Sequence, residues 1–335
     1  MVTMRDVAAL ARVSVATVSN ALNRPEAVAE ATRTRVHAAI TELGFVRNDS
    51  ARRLRGAPGR TLAYLALDTT NPFFADVSRG IRDEAERHDL SLFVGDVGRD
   101  PRRQATYLDL LEQQRAEGVL VTPADDRDER LRALPRRGIP VVLVDRHLGT
   151  GFCSAAADDV LGGDLAATHL LDLGHHRLAF LGGTGGFPQI ADRVRGARRA
   201  IGRTGRGSLL VVTSERLDVH AGRRGGERIL GLPSARRPTA VLCGNDLVAL
   251  GLLQHATSLG VAVPDELAIV GYDDIAMTEV ATTPLTSVAQ PRALLGRTAA
   301  ELLVTEIARD PGHVHRQVVF RPELVIRAST SGSNA

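Results

Sequence analysis

The first 23 residues contain two short helical patterns separated by only two residues, and this spacing strongly limits how the chain can fold at its start. Thr3 and Asp6 have capping-box spacing, which predicts that a helix begins near Met4. Ser14 is of a residue type preferred at helix N-caps and predicts the start of a second helix. Helices this short are marginal alone, so we expect the two to pack against each other.

Apolar residues recur at helical spacing in three successive segments. The third segment runs from Glu30 to Leu43 and ends at Gly44, a residue type that favours the left-handed conformation after a helix. Three such helices can bury a small core, and we therefore predict a compact all-α unit at residues 1–47. The apolar stripes are Val7, Ala8, Leu10 and Ala11 in the first helix, Val15, Val18, Ala21 and Leu22 in the second, and Val36, Ala39, Ile40 and Leu43 in the third.

The second helix has a polar side that remains free when its apolar side packs. An ordinary α-hairpin would show the same spacing, but in a helix-turn-helix this side enters the major groove of DNA. An Asn side chain can pair with adenine, and a Thr methyl can contact the thymine methyl. The candidate base-reading residues are Val15, Ala16, Thr17, Ser19 and Asn20, and Thr3, Arg5, Ser14 and Asn23 are candidate DNA contacts beside them.

The positive charge of the chain is concentrated at its start. Residues 1–60 carry ten Arg and five acidic residues, a net charge of +5, whereas the remainder carries −2. A basic end on a near-neutral body fits nucleic-acid binding confined to that end. All 42 basic residues are Arg. The absence of Lys excludes P-loop, kinase and Schiff-base lysine chemistry.

Several other classes of protein are disfavoured by composition. Cys153 and Cys243 are isolated, so we expect neither a disulfide framework nor a zinc site. His175 and His176 are adjacent and point apart, which makes a metal pair improbable. We therefore predict no metal and no cofactor. The start lacks a signal segment and no apolar run reaches membrane-spanning length, so we expect a cytoplasmic protein without a membrane partner.

Four sequence motifs resemble those of the lac/galactose repressor family (LacI/GalR). They are T-x-x-D-V-A at residues 3–8, V-S-x-x-T-V-S at 13–19, T-R-x-R-V at 32–36 and A-R-x-L-R at 51–55. The resemblance implies a hinge at residues 48–59 that becomes helical only when two copies dock in the DNA minor groove. It also implies that Leu54 is a wedge between base steps and that Arg52 and Arg55 contact DNA. Eight residues cannot hold a helix alone in water, which agrees with such coupled folding.

Beyond residue 60, mostly apolar runs of buried-strand type alternate with stretches that can form helices. This βαβ alternation predicts doubly wound parallel sheets, and the number of strands suits two sheets better than one. The runs lie at residues 61–67, 90–94, 118–121, 139–144, 178–181, 209–212, 240–242 and 267–270.

The family resemblance covers this body too and implies the periplasmic-binding-protein type I architecture, an α/β body with two lobes. We place the crossovers between lobes near residues 158–162, 286–292 and 318–324. The effector-binding and dimerisation domain would then span residues 60–327. Its lobes would comprise residues 60–158 with 290–320, and 159–289 with 321–327.

Polar groups that directly follow the strands are candidates for ligand binding, because ligands of open α/β sheets bind at the carboxyl ends of strands. Carboxylates, amides and Arg with aromatic faces nearby suit the hydroxyl rim and C–H faces of a carbohydrate. The resemblance points to the same strand ends and adds Arg193. The candidate effector-binding residues are Phe73, Phe74, Asp145, Arg146, Arg193, Asn245 and Asp273.

Two of these regions allow simpler structural interpretations. Asp246 is better explained as the N-cap of the helix that follows than as a ligand contact. Either Phe73 or Phe74 is expected to belong to the core.

The sequence suggests three hypotheses for the function of this chain. The first is an effector-controlled repressor that binds a pseudo-palindromic operator as a homodimer. The second, a sugar-binding protein of a transport system, would need a signal peptide and no headpiece. The third, an enzyme with a phosphate loop at residues 182–186, lacks Gly-Lys and places Pro188 where a dinucleotide motif needs Gly. We predict the repressor, with no catalytic residues.

Overall fold

The computed structural model of the chain describes residues 2–45, 61–147, 149–182, 187–308 and 312–331. These residues form two compact units, one within Met1–Gly59 and the other within Arg60–Ala335. In the described part of the chain, no helix is both long and apolar enough to cross a membrane.

The first unit is the predicted three-helix headpiece. Both contacts of the Thr3 and Asp6 capping box form, and the Ser14 side chain accepts a hydrogen bond of 3.0 Å from the backbone N–H of Thr17. Gly44 ends the third helix in the left-handed conformation, as predicted. The helices are α1 (Met4–Ala11), α2 (Val15–Asn23) and α3 (Glu30–Leu43).

The core of the headpiece is smaller than the apolar stripes predicted. Leu10 and Val15 are both 42% exposed, so their assignment to the packed stripes was wrong. The buried core residues are Val7, Ala8, Ala11, Val18, Ala21, Val36 and Ala39.

The second unit contains two six-stranded sheets, and the predicted α/β fold class is confirmed. The first sheet has the order β11-β5-β4-β3-β1-β2, and all its strand pairs are parallel. Its strands are β1 (Thr61–Ala66), β2 (Ser91–Asp96), β3 (Gly118–Val121), β4 (Val141–Val144), β5 (Cys153–Ala157) and β11 (Gln317–Phe320).

The second sheet has the order β12-β10-β9-β8-β6-β7. The pairs are parallel except β10 with β12, which is antiparallel, so the sheet is mostly parallel. The strand β12 begins only three positions after the end of β11 in the first sheet. The chain therefore has no room for the long crossover connection that a parallel strand needs. Its strands are β6 (Arg177–Leu181), β7 (Ser208–Val212), β8 (Ala240–Cys243), β9 (Ala268–Asp273), β10 (Thr286–Ala289) and β12 (Glu323–Val325).

Eight helices connect these strands. The helix α4 packs against α11 on the first sheet, whereas α7 packs against α8 and α9 against α10 around the second. The helices are α4 (Pro72–Arg87), α5 (Pro101–Gln113), α6 (Glu129–Arg136), α7 (Asp159–Asp172), α8 (Pro188–Thr204), α9 (Val219–Leu230), α10 (Asp246–Ser258) and α11 (Arg292–Ile307).

The chain passes between the sheets three times. It leaves the first sheet after β5, returns to it after β10 through α11, and leaves it again between β11 and β12. We expected two of the crossovers at residues 286–292 and 318–324. Much of these two segments instead forms the strands β10, β11 and β12. The connections between these elements are only one or two residues long, so they can act as hinges between the two lobes.

Candidate functional site

The helix-turn-helix presents the predicted DNA-reading residues on one helix. Ala16 and Asn20 on α2 are exposed, whereas Thr17 and Ser19 are half-buried. Val15 is exposed as well, which leaves its side chain free for an apolar contact with a base methyl.

Several polar side chains of this surface already have partners within the headpiece. The Ser14 hydroxyl caps α2 and lies 2.8 Å from the Thr17 hydroxyl. The Asn23 amide donates to the Ser19 carbonyl over 2.8 Å. Thr3 and Arg5 are exposed at the start of α1. The predicted hinge contacts Arg52, Leu54 and Arg55 lie outside the described residues.

The carboxyl ends of the strands meet at a cleft between the two lobes, which contains a cavity of about 40 Å³. Six of the seven predicted effector-binding residues line this cavity. They come from both lobes and from five separate segments of the chain. They are Phe73, Phe74, Asp145, Arg193, Asn245 and Asp273.

Arg193 lies at the centre of the cleft, held by a close crossing of α7 and α8. A Cβ at Gly163 would lie 2.0 Å from the Arg193 carbonyl oxygen, so only Gly permits this approach. Nε of Arg193 donates to Asp159 over 2.8 Å, and its guanidinium carbon lies 3.5 Å from the centroid of the Tyr272 ring. The cation is therefore fixed in direction by an ion pair and an aromatic face.

The carboxylates of the cleft have raised pKa values. Burial raises the pKa of Asp145 well above its usual value, and the negative charge of Asp159 adds to this effect. Burial likewise raises the pKa of Asp273 to about 6, against the attraction of Arg193. Burial alone would lower the pKa of Arg193, but Asp159 raises it above its usual value, so the guanidinium stays charged.

Asp145, directly after β4, and Asp273, the last residue of β9, both have a backbone conformation that residues other than Gly rarely adopt. Their φ angles are 54° and 103°. Such backbone strain persists only where the surrounding structure enforces it, and it clusters at ligand sites. One oxygen of Asp145, Oδ1, is buried without a hydrogen-bond partner among the described residues. An unpaired buried acceptor of this kind is a natural contact for a ligand hydroxyl.

Two of the contacts between the lobes border the small cavity. Gln189, the second residue of α8, donates from Nε2 to the backbone carbonyl of Asp145 over 2.7 Å. The guanidinium carbon of Arg99 lies 4.3 Å from the centroid of the Phe187 ring. Both contacts lie beside the small cavity and connect the two lobes there.

Both phenylalanines are buried, and their rings meet edge to face with centroids 5.0 Å apart. Phe73 and Phe74 line the cavity as well, so neither belongs to the core alone. The side chain of Asn71 caps α4 by accepting a hydrogen bond of 3.0 Å from the backbone N–H of Phe73. This cap fixes the start of the helix that carries both rings.

The N-cap assignment for α10 was wrong by one residue. Asn245 is the cap, because its Oδ1 accepts from the backbone N–H of Val248 over 3.0 Å, while its Nδ2 donates to the Leu217 carbonyl. Asp246 instead accepts from the Ser287 hydroxyl over 2.6 Å and from the backbone N–H of Ile275 over 2.8 Å. Its carboxylate links β10 to the end of β9.

Arg146 is the one predicted effector residue outside the small cavity. It pairs with Asp126 over 2.6 Å and lines a second, larger cavity of about 540 Å³. The two cavities share Leu67, Arg99, Phe187 and Gln189 in their lining, so these side chains form the partition between them.

Sequence reasoning missed several lining residues. Arg99, Phe187 and Gln189 follow no predicted strand directly, and Ile190 lies on a helix. Phe187 directly before Pro188 is the one local signal, because it combines an aromatic residue with the start of a helix at the edge of the sheet.

Two family models match the chain. Residues 3–48 match the model of bacterial regulatory proteins of the lacI family, and residues 167–330 match that of a periplasmic binding protein-like domain. Among curated proteins, the chain is similar to the HTH-type transcriptional repressor PurR of Aliivibrio fischeri. The two are 33% identical over 338 residues, which cover 99% of each chain.

Solved structures of transcriptional regulators are also similar to this chain. The lac repressor dimer bound to operator and an anti-inducer matches with a TM-score of 0.82 and 26% identity, over 98% of this chain and 99% of that one. The complex of the transcriptional regulator CelR with cellobiose matches with a TM-score of 0.72 and 29% identity, over 98% and 100% of the two chains.

Proposed function

Because the chain belongs to the lacI family of bacterial regulatory proteins, we propose that this DNA-binding transcriptional repressor acts as a homodimer on a pseudo-palindromic operator. We further propose that a small-molecule effector, a sugar or sugar derivative, binds in the cleft and controls DNA affinity. The chain is not an enzyme, since its relatives are transcriptional repressors.

One observation carries the effector proposal, namely the convergence of six predicted residues from both lobes on one cavity. Asp145 and Asp273 offer acceptors, Arg193 offers a fixed cation, and two Phe rings offer apolar faces. A sugar ring has both a hydroxyl rim and C–H faces, so this wall matches it on both counts. The cellobiose complex of the relative CelR supports the same ligand class.

The size of the cavity indicates how the effector would act. A volume of about 40 Å³ holds one or two waters, whereas ligand sites measure about 300–1,000 Å³. An effector therefore needs the partition of Arg99, Phe187 and Gln189 to move, which would join the small cavity to the neighbouring one of about 540 Å³. Effector binding would then favour a lobe arrangement different from the one in this structure.

Exposed edge strands support the homodimer. The strands β2 and β7 are the edges of their sheets. Phe93 and Leu210 on these strands are each 41% exposed, and Val94 is 38% exposed. Long apolar edges of this kind invite pairing with another chain, and a second copy would cover them in both lobes at once. The dimer of the lac repressor, which matches over nearly the whole chain, supports this assembly.

For the hinge, we retain the proposal made from the sequence. Leu54 would wedge into the central base step of the operator, with Arg52 and Arg55 contacting the minor groove beside it. Two hinges would pair only when two chains bind together, which ties operator affinity to the arrangement of the dimer.

The effector proposal is tested by a thermal-shift screen of the full chain against sugars, sugar phosphates and nucleosides. A binding sugar should raise Tm. The rise should be lost in Asp145→Asn, which changes a cavity carboxylate without changing its shape, and kept in the exposed control Asp265→Asn. A rise that is equal in both variants would place the ligand outside the cleft, and no rise with any sugar would exclude the ligand class.

The operator proposal is tested by selecting DNA sequences with the full chain. A pseudo-palindrome is expected, because two identical headpieces read two half-sites. Affinity for the selected site should fall about a thousandfold or more between low and elevated salt if about six or more phosphates are neutralised. Recovery of single half-sites without symmetry would contradict the homodimer.

A further inference from the structure

Four side chains with metal-binding atoms meet at the edge of the first sheet opposite the effector cleft. Cys153 is the first residue of β5, Glu306 lies near the end of α11, and His313 and His315 precede β11. The cleft lies at the carboxyl ends of the strands, whereas this cluster lies where β5 and β11 begin. One ligand atom from each of the four side chains lies within 4.8 Å of the other three.

The measured distances match a tetrahedral site. Sγ of Cys153 lies 3.4 Å from Nε2 of His313, which in turn lies 3.5 Å from Oε1 of Glu306. Nδ1 of His315 lies 3.2 Å from the same oxygen. Zinc bonds of about 2.0–2.3 Å in tetrahedral geometry place ligand atoms about 3.3–3.8 Å apart. Three of the six distances among the ligand atoms thus have the spacing that a zinc ion requires, and the other three are no longer than 4.8 Å.

The chemistry of the four side chains also selects the metal. One thiolate, two imidazoles and one carboxylate make a mixed set of soft and borderline ligands, which suits Zn²⁺ and does not suit Mg²⁺ or Ca²⁺. We propose that Cys153, Glu306, His313 and His315 bind one structural zinc ion. Four protein ligands fill a tetrahedral shell and leave no open position for a substrate.

The surroundings of the sulfur support this assignment. The backbone N–H of Arg316 donates to Sγ of Cys153 over 3.2 Å, and a donor aimed at sulfur stabilises a metal-bound thiolate. The Cys153 side chain is buried and that of Glu306 is 8% exposed, whereas that of His315 is 38% exposed. The site is therefore shielded on one side and open to an incoming ion on the other.

The same contacts also have a metal-free explanation, in which Glu306 simply accepts hydrogen bonds from both histidines. In that explanation Cys153 is a buried core residue that accepts a hydrogen bond from Arg316, and no affinity for zinc is expected. A bound zinc ion would instead tie the end of α11 to the beginnings of β5 and β11. It would thereby stabilise the first lobe at the sheet edge opposite the cleft.

The decisive experiment titrates ZnCl₂ into the full, untagged chain after dialysis against EDTA, in competition with a chromogenic chelator. One zinc ion per chain is expected. Cys153→Ala and His313→Gln should each weaken binding by at least about a hundredfold, since even residues that only support metal ligands contribute 10–100-fold. The matched controls Cys243→Ala and His176→Gln, which alter a cysteine and a histidine outside the cluster, should bind as the wild type does.

Cobalt provides a second readout that reports the ligands directly. Co²⁺ bound through Cys153 should give a thiolate-to-cobalt absorption band and intense tetrahedral bands, both absent in Cys153→Ala and present in Cys243→Ala. If Cys153→Ala fails to fold in EDTA, the half-exposed His315→Gln replaces it in both measurements. Failure of the wild type to bind zinc, or equal affinity in the wild type and the cluster variants, would overturn the proposal.

Discussion

Gln189 in the second lobe donates a hydrogen bond of 2.7 Å from Nε2 to the backbone carbonyl of Asp145 in the first. The same nitrogen lies 3.2 Å from the Asp145 carboxylate, so one amide joins the lobes through two acceptors. This contact lies beside the small cavity and belongs to the partition that we propose an effector displaces.

Removal of this contact should favour the open arrangement of the lobes. A hydrogen bond of this kind contributes about 0.5–1.5 kcal/mol, so Gln189→Ala should shift the balance between closed and open forms up to about tenfold. Small-angle scattering of the effector-free protein should then give a larger radius of gyration. The exposed Gln113→Ala is the matched control. An unchanged radius in Gln189→Ala would mean that this contact does not hold the lobes together.

The buried carboxylates should make stability fall as the pH rises. Asp273, whose pKa is raised to about 6, and Asp145, whose pKa is raised further, both favour protons more in the folded than in the unfolded chain. Their stabilising contribution is complete below the unfolded pKa of about 4 and is lost as the pH passes the folded pKa. Urea unfolding of the body should therefore show a lower free energy of unfolding at pH 7 than at pH 5.

Asp145→Asn should remove its share of this pH dependence and stabilise the protein at neutral pH. The amide is neutral, keeps the shape of the side chain and tolerates the positive φ of this position. We expect a gain of about 1–3 kcal/mol at pH 7, the usual cost of a buried polar group without full hydrogen bonding. The exposed Asp265→Asn should change the unfolding free energy little at any pH. A loss of stability in Asp145→Asn would show that its charge is needed to balance Arg193.

The exposed amide of Asn20 should determine one base of the operator. Asn20→Ala should weaken binding to the preferred operator by about 1–3 kcal/mol and relax the preference at one base pair of each half-site. Competition binding with operators altered one base pair at a time measures both effects. His37→Ala, exposed on α3 outside the helix-turn-helix pair, should leave the base preferences unchanged. Equal preferences in Asn20→Ala and the wild type would remove this residue from base reading.

Charged substitutions on the two edge strands should separate the proposed dimer. Phe93→Asp together with Leu210→Asp places carboxylates on both apolar edges, and their burial in a dimer would cost several kcal/mol. Sedimentation analysis should show monomers for the double variant at concentrations where the wild type is dimeric. Val280→Asp, at a residue that is 82% exposed, should stay dimeric. A dimer that survives both edge substitutions would need a different interface.

The sequence was sufficient for features that depend on nearby residues. The capping box of Thr3 and Asp6, the cap at Ser14 and the left-handed Gly44 were all predicted correctly, because each depends on side chains within a few positions. Eight of the strands were also predicted, since strands buried on both faces are continuously apolar. The strands β5, β10, β11 and β12 were missed because they are short and either rich in small residues or partly exposed.

The position of the effector cleft followed from the sequence as well. Polar residues that directly follow parallel strands must meet at one edge of a sheet, so six of the seven predicted residues line one cavity. The hydrogen-bond partners of these residues could not be predicted from their positions after strands. The exchange of roles between Asn245 and Asp246 depends on where Val248, Ser287 and Ile275 lie in three dimensions.

Contacts between distant segments were decided by the tertiary structure alone. Gln189 and Asp145 are 44 positions apart, and Cys153 lies 160 positions from His313. No local pattern indicates such pairs, because they meet only after two sheets and their crossovers have been packed. The sequence by itself thus determined the helix-turn-helix, the βαβ alternation and the family. The closure of the cleft and the meeting of four metal-binding side chains arise from packing, which brings together residues that no spacing along the chain connects.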